Sequence, residues 1–312
     1  MKKLVSVLST LLLLAATGCT FLKVSLTEEV QPLTEEVIGG SGRDKVLLLD
    51  ISGFISNRDS DLVPGGGKEP GLLARVREAL DRAREDGRVK AVVLRINSPG
   101  GGVTASDMLY HELRKFKQET GVKVLAHIMD VGTSGAYYAA LAADRITAQP
   151  TSVTGSIGVI MYRLDATGLM QKIGLQSVEI SSGDRKGMGS PFRPLSPEEK
   201  ALFQNLIDGL QDRFVNTVAE ARKLAPEKVR QLADGRVYTS REAADAGLID
   251  GVGYLDDAIE QARKMANLES ASVVTYFRPG EYRANLYSLN LLNLDLGALA
   301  EPGARFLYVW WP

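Results

Sequence analysis

Three stretches of this 312-residue chain carry residues whose type and spacing suit chemistry on a carbonyl group. The first is Asp130-Val131-Gly132-Thr133-Ser134-Gly135-Ala136-Tyr137-Tyr138, between an apolar run and an Ala-rich one. A serine at a strand-to-helix junction sits where the first N–H groups and the dipole of a helix favour developing negative charge. Gly132 and Gly135 are small and leave room for a carbonyl. The same position equally suits an N-cap serine whose oxygen accepts from the first helical turn. The second stretch, Asn97-Ser98-Pro99-Gly100-Gly101-Gly102-Val103, can gather backbone N–H groups into one concavity, an anion or oxyanion site, although an ordinary tight turn uses the same residues. No GxxxxGK-type phosphate loop is present, and Gly100, Gly102 and Ala105 match only the loose GxGxxA form of a nucleotide site.

A serine hydroxyl is a weak nucleophile until something takes its proton. Of the two histidines, His111 falls on an amphipathic run and His127 inside an apolar one, positions that suit structural roles. That leaves a lysine or a carboxylate as the base. A lysine can serve only where burial or a nearby cation brings its pKa down from about 10.4 toward neutrality. The third stretch, Ser182-Gly183-Asp184-Arg185-Lys186-Gly187-Met188, places Lys186 in a long loop, where a solvated lysine is the ordinary case. The residues by themselves thus offer a serine and no settled base.

These stretches need a scaffold, and the hydrophobic pattern supplies one. Val46 to Ile51, Ala91 to Ile96 and Val122 to Ile128 read as buried strands, while Leu72, Leu73, Val76, Ala79, Leu80 and Ala83 recur at helical spacing and Ala105 to Thr120 reads as a helix. Apolar strands alternating with helices indicate an α/β domain with a mostly parallel sheet. Ser196 is a candidate N-cap for a helix opening at Pro197-Glu198-Glu199 and running to about Lys223, and another helix covers roughly Tyr254 to Ala266. The segments Ser56 to Gly71 and Ser181 to Pro197 are long Gly-, Pro- or Ser-rich loops.

Lys plus Arg number 37 and Asp plus Glu 38, so nothing in the charge balance suggests nucleic acid, and two histidines with one cysteine argue against most metal sites and exclude an internal disulfide. Lys2 and Lys3, the apolar run Leu4 to Ala16 and the small Thr17-Gly18 before Cys19 read as a cleaved export signal, residues 1–18, too short to span a bilayer as a helix. Ala16-Thr17-Gly18-Cys19 resembles a lipobox, making Cys19 the expected lipid-modified anchor, with an ordinary secretory signal or an uncleaved anchor as the alternatives. Residues 19–44 are acidic, Gly-rich and tether-like; a domain at 45–266 and a C-terminal extension at 267–312 follow. The extension ends Phe306-Leu307-Tyr308-Val309-Trp310-Trp311-Pro312, either packed on its own domain or meeting a neighbouring subunit or membrane.

Five strings in order resemble the signal peptide peptidase SppA family, a Ser/Lys peptidase group related in fold to ClpP and the crotonases: Arg95 to Gly101, Thr133 to Tyr138, Thr154 to Val159, Gly183 to Pro191 and Asp234 to Tyr238. The resemblance implies a ClpP/crotonase-like fold of repeated ββα units. It implies Ser134 as nucleophile, Lys186 as general base, Ser156 orienting the lysine, and the N–H groups of Gly101 and Gly135 as oxyanion hole. No cofactor or metal is expected. The implied partners are apolar peptides such as released signal peptides, a membrane reached through the lipid anchor, and copies of the chain in a ring where serine and lysine come from neighbouring subunits. Thr133-Ser134-Gly135-Ala136 departs from the family's commoner Ala-Ser-Gly-Gly, and a lipobox replaces a spanning anchor. A non-catalytic membrane-associated scaffold with the same fold is the alternative function.

Overall fold

Runs of consecutive apolar residues form stable strands where both faces of a sheet are covered. The computed structural model, which describes residues 32–57, 60–61, 68–278, 285–287 and 305–310, has that arrangement. In chain order the strands are β1 (Thr34–Gly40), β2 (Lys45–Ser52), β3 (Ser60–Asp61), β4 (Lys68–Glu69), β5 (Val89–Ser98), β6 (Gly100–Gly102), β7 (Lys123–Thr133), β8 (Arg145–Ala148), β9 (Val153–Gly155), β10 (Ile160–Tyr162), β11 (Val237–Thr239), β12 (Gly251–Val252), β13 (Ser272–Phe277) and β14 (Arg305–Val309). The helices are α1 (Leu72–Glu85), α2 (Val103–Thr120), α3 (Gly135–Ala140), α4 (Thr167–Lys172), α5 (Pro197–Arg222), α6 (Pro226–Leu232), α7 (Ser240–Asp245) and α8 (Leu255–Met265).

The main sheet runs β1-β13-β2-β5-β7-β8-β12, with β9 on the end of β7 and β11 on β9. Its ladders are parallel except for β1 with β13 and β9 with β11. Side chains alternate between two cores, as a period of two requires. Leu47, Leu49 and Ile51 enter the larger core with Leu80 of α1 and Leu109 of α2, while Val46 and Leu48 meet Leu255 and Ala258 of α8 on the other face. The α/β class with a mostly parallel sheet expected from the sequence is therefore the one observed.

Two expectations need correction. Within the stretch read as a tether, Thr34–Gly40 is a strand, and within the stretch read as a C-terminal extension, Ser272–Phe277 is its antiparallel partner and lies between β1 and β2. The acidic composition that suggested a solvated tether has a local purpose: Glu35 accepts from buried Lys45 Nζ at 2.5 Å, and Asp86 accepts from the same ammonium at 2.7 Å. Partners so far apart in sequence leave no mark on local composition. The proposed signal, Cys19 and everything through residue 31 lie outside the described residues. Among the described residues no helix is long and apolar enough to cross a membrane.

His127 sits at the centre of the sheet on β7, opposite Arg95 and Thr147. Its Nδ1 meets Thr147 Oγ1 at 2.9 Å, and Nε2 has no hydrogen-bond partner. Burial lowers its pKa to about 4, opposed by the charge of Asp257. The imidazole is a neutral structural element, as its place in an apolar run suggested. An unfolded histidine takes its proton near pH 6.5 and the folded one only near 4, so this group costs no stability above pH 6.5 and a growing amount as pH falls toward 4. We expect the melting temperature of the native chain to fall more steeply between pH 6.5 and 4.5 than that of His127→Gln, with at most about 3 kcal/mol at stake; parallel pH profiles in thermal unfolding would contradict this.

Candidate active site

β7 ends at Thr133, and the chain turns at Ser134 into α3. Ser134 has φ 53° and ψ −116°, a conformation that non-glycine residues adopt at a cost of about 1–3 kcal/mol. The surroundings impose it. The Ser134 N–H donates to the Gly155 carbonyl at 2.7 Å, and the Ser134 carbonyl accepts the first helical bond from the Tyr138 N–H at 2.8 Å. Tyr137 and Tyr138, both fully buried, anchor the helix behind it, the first by donating to the Leu248 carbonyl at 2.7 Å and the second to Asp107 at 2.8 Å. Burial pushes the Tyr138 phenol up to about 12, so it stays a neutral donor.

Ser134 occupies the N-cap position, yet its side chain caps nothing. The residue is 1% exposed and its Oγ has no hydrogen-bond partner. The choice left open by the sequence, cap or nucleophile, is thus narrowed by geometry: a buried hydroxyl left unpaired at a strained turn has no structural use there.

Ser156 follows Gly155, whose carbonyl holds the Ser134 N–H, so the two serines flank one β7–β9 ladder. It also has positive φ, 50°, and its N–H donates to the Arg236 carbonyl at 2.8 Å. Gly155, at φ 88°, admits the Tyr238 ring, which a Cβ there would meet at 2.5 Å. The Thr154 to Val159 and Asp234 to Tyr238 strings are therefore one structural unit, the antiparallel β9–β11 pair.

Gly100, at φ 103°, starts β6 beside Ser134: a Cβ on it would come 2.8 Å from the Gly135 nitrogen. Ser98 Oγ donates to the Gly53 carbonyl at 2.6 Å and accepts the Gly100 N–H at 3.1 Å. The Gly102 N–H donates to the Ile55 carbonyl at 3.0 Å, while the Gly100 carbonyl accepts the Ile55 N–H at 2.9 Å. With its neighbours committed to this side, strand alternation turns the Gly101 N–H the opposite way, toward β14. Gly100 and Gly135 are thus brought together next to Ser134, with Gly101 the following residue of β6. Neither Ile55 nor Ser98 is singled out by the sequence patterns above; Ile55 lies in a loop whose composition gives no signal, and Ser98 sits inside a recognised string.

Lys186 is exposed, on a turn in which its N–H donates to the Gly183 carbonyl at 3.0 Å. It makes no hydrogen bond to Ser134 within the chain. The loop around it is held at its base by two arginines that sequence inspection did not single out. Arg193 reaches the Gly187 carbonyl at 2.9 Å and both carboxylate oxygens of Glu199, at 2.6 and 2.9 Å. Arg163 donates to the Ser190 carbonyl at 2.6 Å and to that of Arg193. Glu199 also closes the capping box of α5 with Ser196, and the Arg193 guanidinium holds its carboxyl at about 2. Among the described residues no group of His, Cys, Asp or Glu is placed to hold a metal ion.

The model of peptidase family S49 matches residues 116–269. A protein of Enterococcus faecium named as a putative signal peptide peptidase SppA is 35% identical over 246 residues, covering 78% of this chain and 70% of its own length. The chain belongs to peptidase family S49. A putative protease of Methanocaldococcus jannaschii is 35% identical over 279 residues, 88% of this chain and 87% of its own. A chloroplastic serine protease SPPA of Arabidopsis thaliana is 37% identical over 238 residues, 75% of this chain and 34% of that longer protein. Among solved structures a mutant ClpP1 of Listeria monocytogenes superposes with TM-score 0.45 and 17% identity over 68% of this chain and 94% of its own. The S49 chain described here is accordingly a serine peptidase.

The two glycines differ in what an added methyl would meet. On Gly101 a Cβ would lie 2.1 Å from the Ile55 carbonyl oxygen, a backbone atom, and on Gly135 it would lie 2.2 Å from Ser106 Oγ, a side chain. Gly101→Ala is therefore expected to lower stability by about 1–3 kcal/mol with no single-residue relief. Gly135→Ala is expected to be partly rescued in melting temperature by Ser106→Ala. Thermal unfolding of the four variants checks this, and equal behaviour of the two glycines would contradict it.

Proposed function

We propose that this S49 peptidase hydrolyses apolar peptides, such as released signal peptides, with Ser134 as nucleophile and Lys186 as general base, the lysine arriving from a neighbouring copy in a ring. The observation that carries the reading is the Ser134 hydroxyl: buried, on a strained turn against which the Gly100 turn packs, and unpaired within its own chain. The arm leading to Lys186 supports supply from a neighbour. Ile173, Leu175, Val178 and Ile180 are all exposed, Ile180 to 96%, which is unusual for large aliphatic side chains and fits a surface that another subunit covers. The same docking exchanges water around the ammonium for protein, the condition under which an amine releases its proton.

In this reading Ser134 Oγ bonds to the scissile carbonyl carbon while its proton passes to Lys186 Nζ. The oxyanion is held by the Gly101 and Gly135 N–H groups. Collapse breaks the C–N bond, Lys186 returns the proton to the leaving amine, and water then hydrolyses the ester. Ser156, across the ladder from the nucleophile, would orient the incoming amine. The leader's apolar run and Cys19 support a lipid anchor that keeps the domain outside the cytoplasm.

Ser134→Ala and Lys186→Ala are each expected to lose peptide hydrolysis while keeping the oligomeric state of the native chain. Co-expressed, they should regain roughly a quarter of the native rate, because random mixing in a closed ring puts an intact serine beside an intact neighbouring lysine in about one site of four. Retained activity in either single variant would overturn the dyad. Two inert variants that never complement would place both residues in one chain.

A further inference from the structure

Every residue from 171 through 186 is exposed, so the segment that carries Lys186 has no apolar core of its own to fix it. Its place must come from polar contacts, and these differ in worth. Arg185 pairs with Glu198 at 2.6 Å, but the two side chains are 67% and 69% exposed, and a pair so solvated contributes little. Arg193 meets both oxygens of Glu199, at 2.6 and 2.9 Å, and the Glu199 side chain is only 8% exposed. That carboxylate is itself fixed: it accepts the Ser196 N–H at 2.9 Å, and Ser196 Oγ accepts the Glu199 N–H at 3.1 Å. It therefore belongs to the first turn of α5, a helix seated in the larger core by Phe214, Val215 and Val218.

One guanidinium thus connects the core to the turn. The Arg193 nitrogen that donates to Glu199 at 2.6 Å also donates to the carbonyl of Gly187, the residue after Lys186, at 2.9 Å. The backbone of Arg193 is gripped in turn by Arg163, which donates to the carbonyls of Arg193, Ser190 and Gly189. The Glu179 carboxylate lies against Gly187, where an added Cβ would collide with it, and 3.6 Å from Arg193 Nε. Arg193 therefore faces two carboxylates and the lysine-bearing turn at once. The remaining charges of the turn and of the segments joined to it are Asp184, Arg185, Glu198, Lys200 and Asp165, the last 3.3 Å from Arg163.

We infer that Arg193 is the positioning residue for Lys186: it sets the place of the turn that carries the amine and matches the charge of the two carboxylates, Glu179 and Glu199, that stand at the turn's root. The inference rests on the reading of Lys186 as general base. A planar fork suits the task, since the guanidinium reaches three acceptors here where a point charge reaches one. Lysine at this position keeps the charge and loses the geometry, and glutamine loses both. A reacting group displaced by about 1 Å costs roughly a hundredfold in rate, so the fork bears on turnover although Arg193 touches neither serine. Its charge has a second effect with a definite sign. A carboxylate left unmatched near an amine favours the ammonium, and an unmatched guanidinium favours the neutral base.

The test measures kcat, KM and the pH dependence of peptide hydrolysis in the full chain and in Arg193→Gln, Arg193→Lys and Glu199→Gln, with the oligomeric state followed by size exclusion. Glutamine at residue 199 keeps the capping box of α5, so that variant changes the charge and spares the helix start. Arg193→Gln is expected to lower kcat by about tenfold or more, with KM held within about twofold. The limb on which its rate rises with pH should move up by about half a unit or more, and that of Glu199→Gln should move down. Arg193→Lys should lose kcat and leave the limb where it is. A native kcat in Arg193→Gln, or a limb that does not move in opposite directions in the two charge variants, overturns the inference. Loss of the native assembly in all three variants would make the pair an assembly contact and overturn it equally. Lys186→Ala is run alongside: if it still hydrolyses peptide, the dyad reading fails, whereas an inert Lys186→Ala beside native-like Arg193→Gln and Glu199→Gln counts against Arg193 alone.

Discussion

The structure depends on one junction, the turn at Ser134 where β7 becomes α3. A non-glycine residue with φ 53° stays there only if its neighbours make every alternative worse. They do so from three directions. The β9 strand takes the Ser134 N–H, the buried tyrosines pin α3, and the Gly100 turn packs so closely on the Gly135 backbone that Gly100 has no room for a side chain. The parallel strands matter to the site mainly because they deliver these three elements to one sheet end. Binding sites in sheets of this kind form at the carboxyl ends of strands, where loops can converge.

The same close fit explains which residues must be glycine. Gly100 sits at φ 103° and carries the Tyr308 carbonyl against its face. The ion pair between Asp50 and Arg95, at 2.5 and 2.8 Å on neighbouring strands, lies a few residues below the turn. Arg95 is 2% exposed, so its charge must be matched locally, and the bidentate geometry with Asp50 does that. Ser98, three residues on, then fixes the turn by donating to one loop and accepting from the glycine.

How much of this was legible follows from the range of each signal. The core strands could be read because both their faces are apolar, and α1 because Leu72, Val76, Ala79, Leu80 and Ala83 mark its buried face. The α5 start could be read from Ser196 and Glu199, a local reciprocal cap. β1 and β13 could not, since their pairing joins residues more than 230 positions apart and Glu35 looks like a tether residue until Lys45 is placed beside it. At the site, the position of Ser134 was legible and its role was not. A capping serine and a nucleophilic one share the same local sequence and differ only in where Oγ points. Lys186 presents the reverse case: its string was recognised, yet nothing in a single chain pairs its side chain with the serine. The place of β14 was the least legible of all, because an apolar tail reads alike whether it covers a neighbour, a membrane or its own domain.

A groove lined largely by backbone has a consequence for what fills it. β14 lies between β6, which consists of three glycines, and β10, a short strand whose outer residues Ile160 and Tyr162 are exposed. Between such edges almost any extended segment can form the ladder, so main-chain pairing alone gives affinity without choice. The seating of β14 is then fixed by its enclosed positions, and among its described residues the side chain with a shaped, aromatic, hydrogen-bonding enclosure is Tyr308. An internal strand seated there also covers the unpaired edge that an empty groove would expose. It shields the edge from indiscriminate pairing.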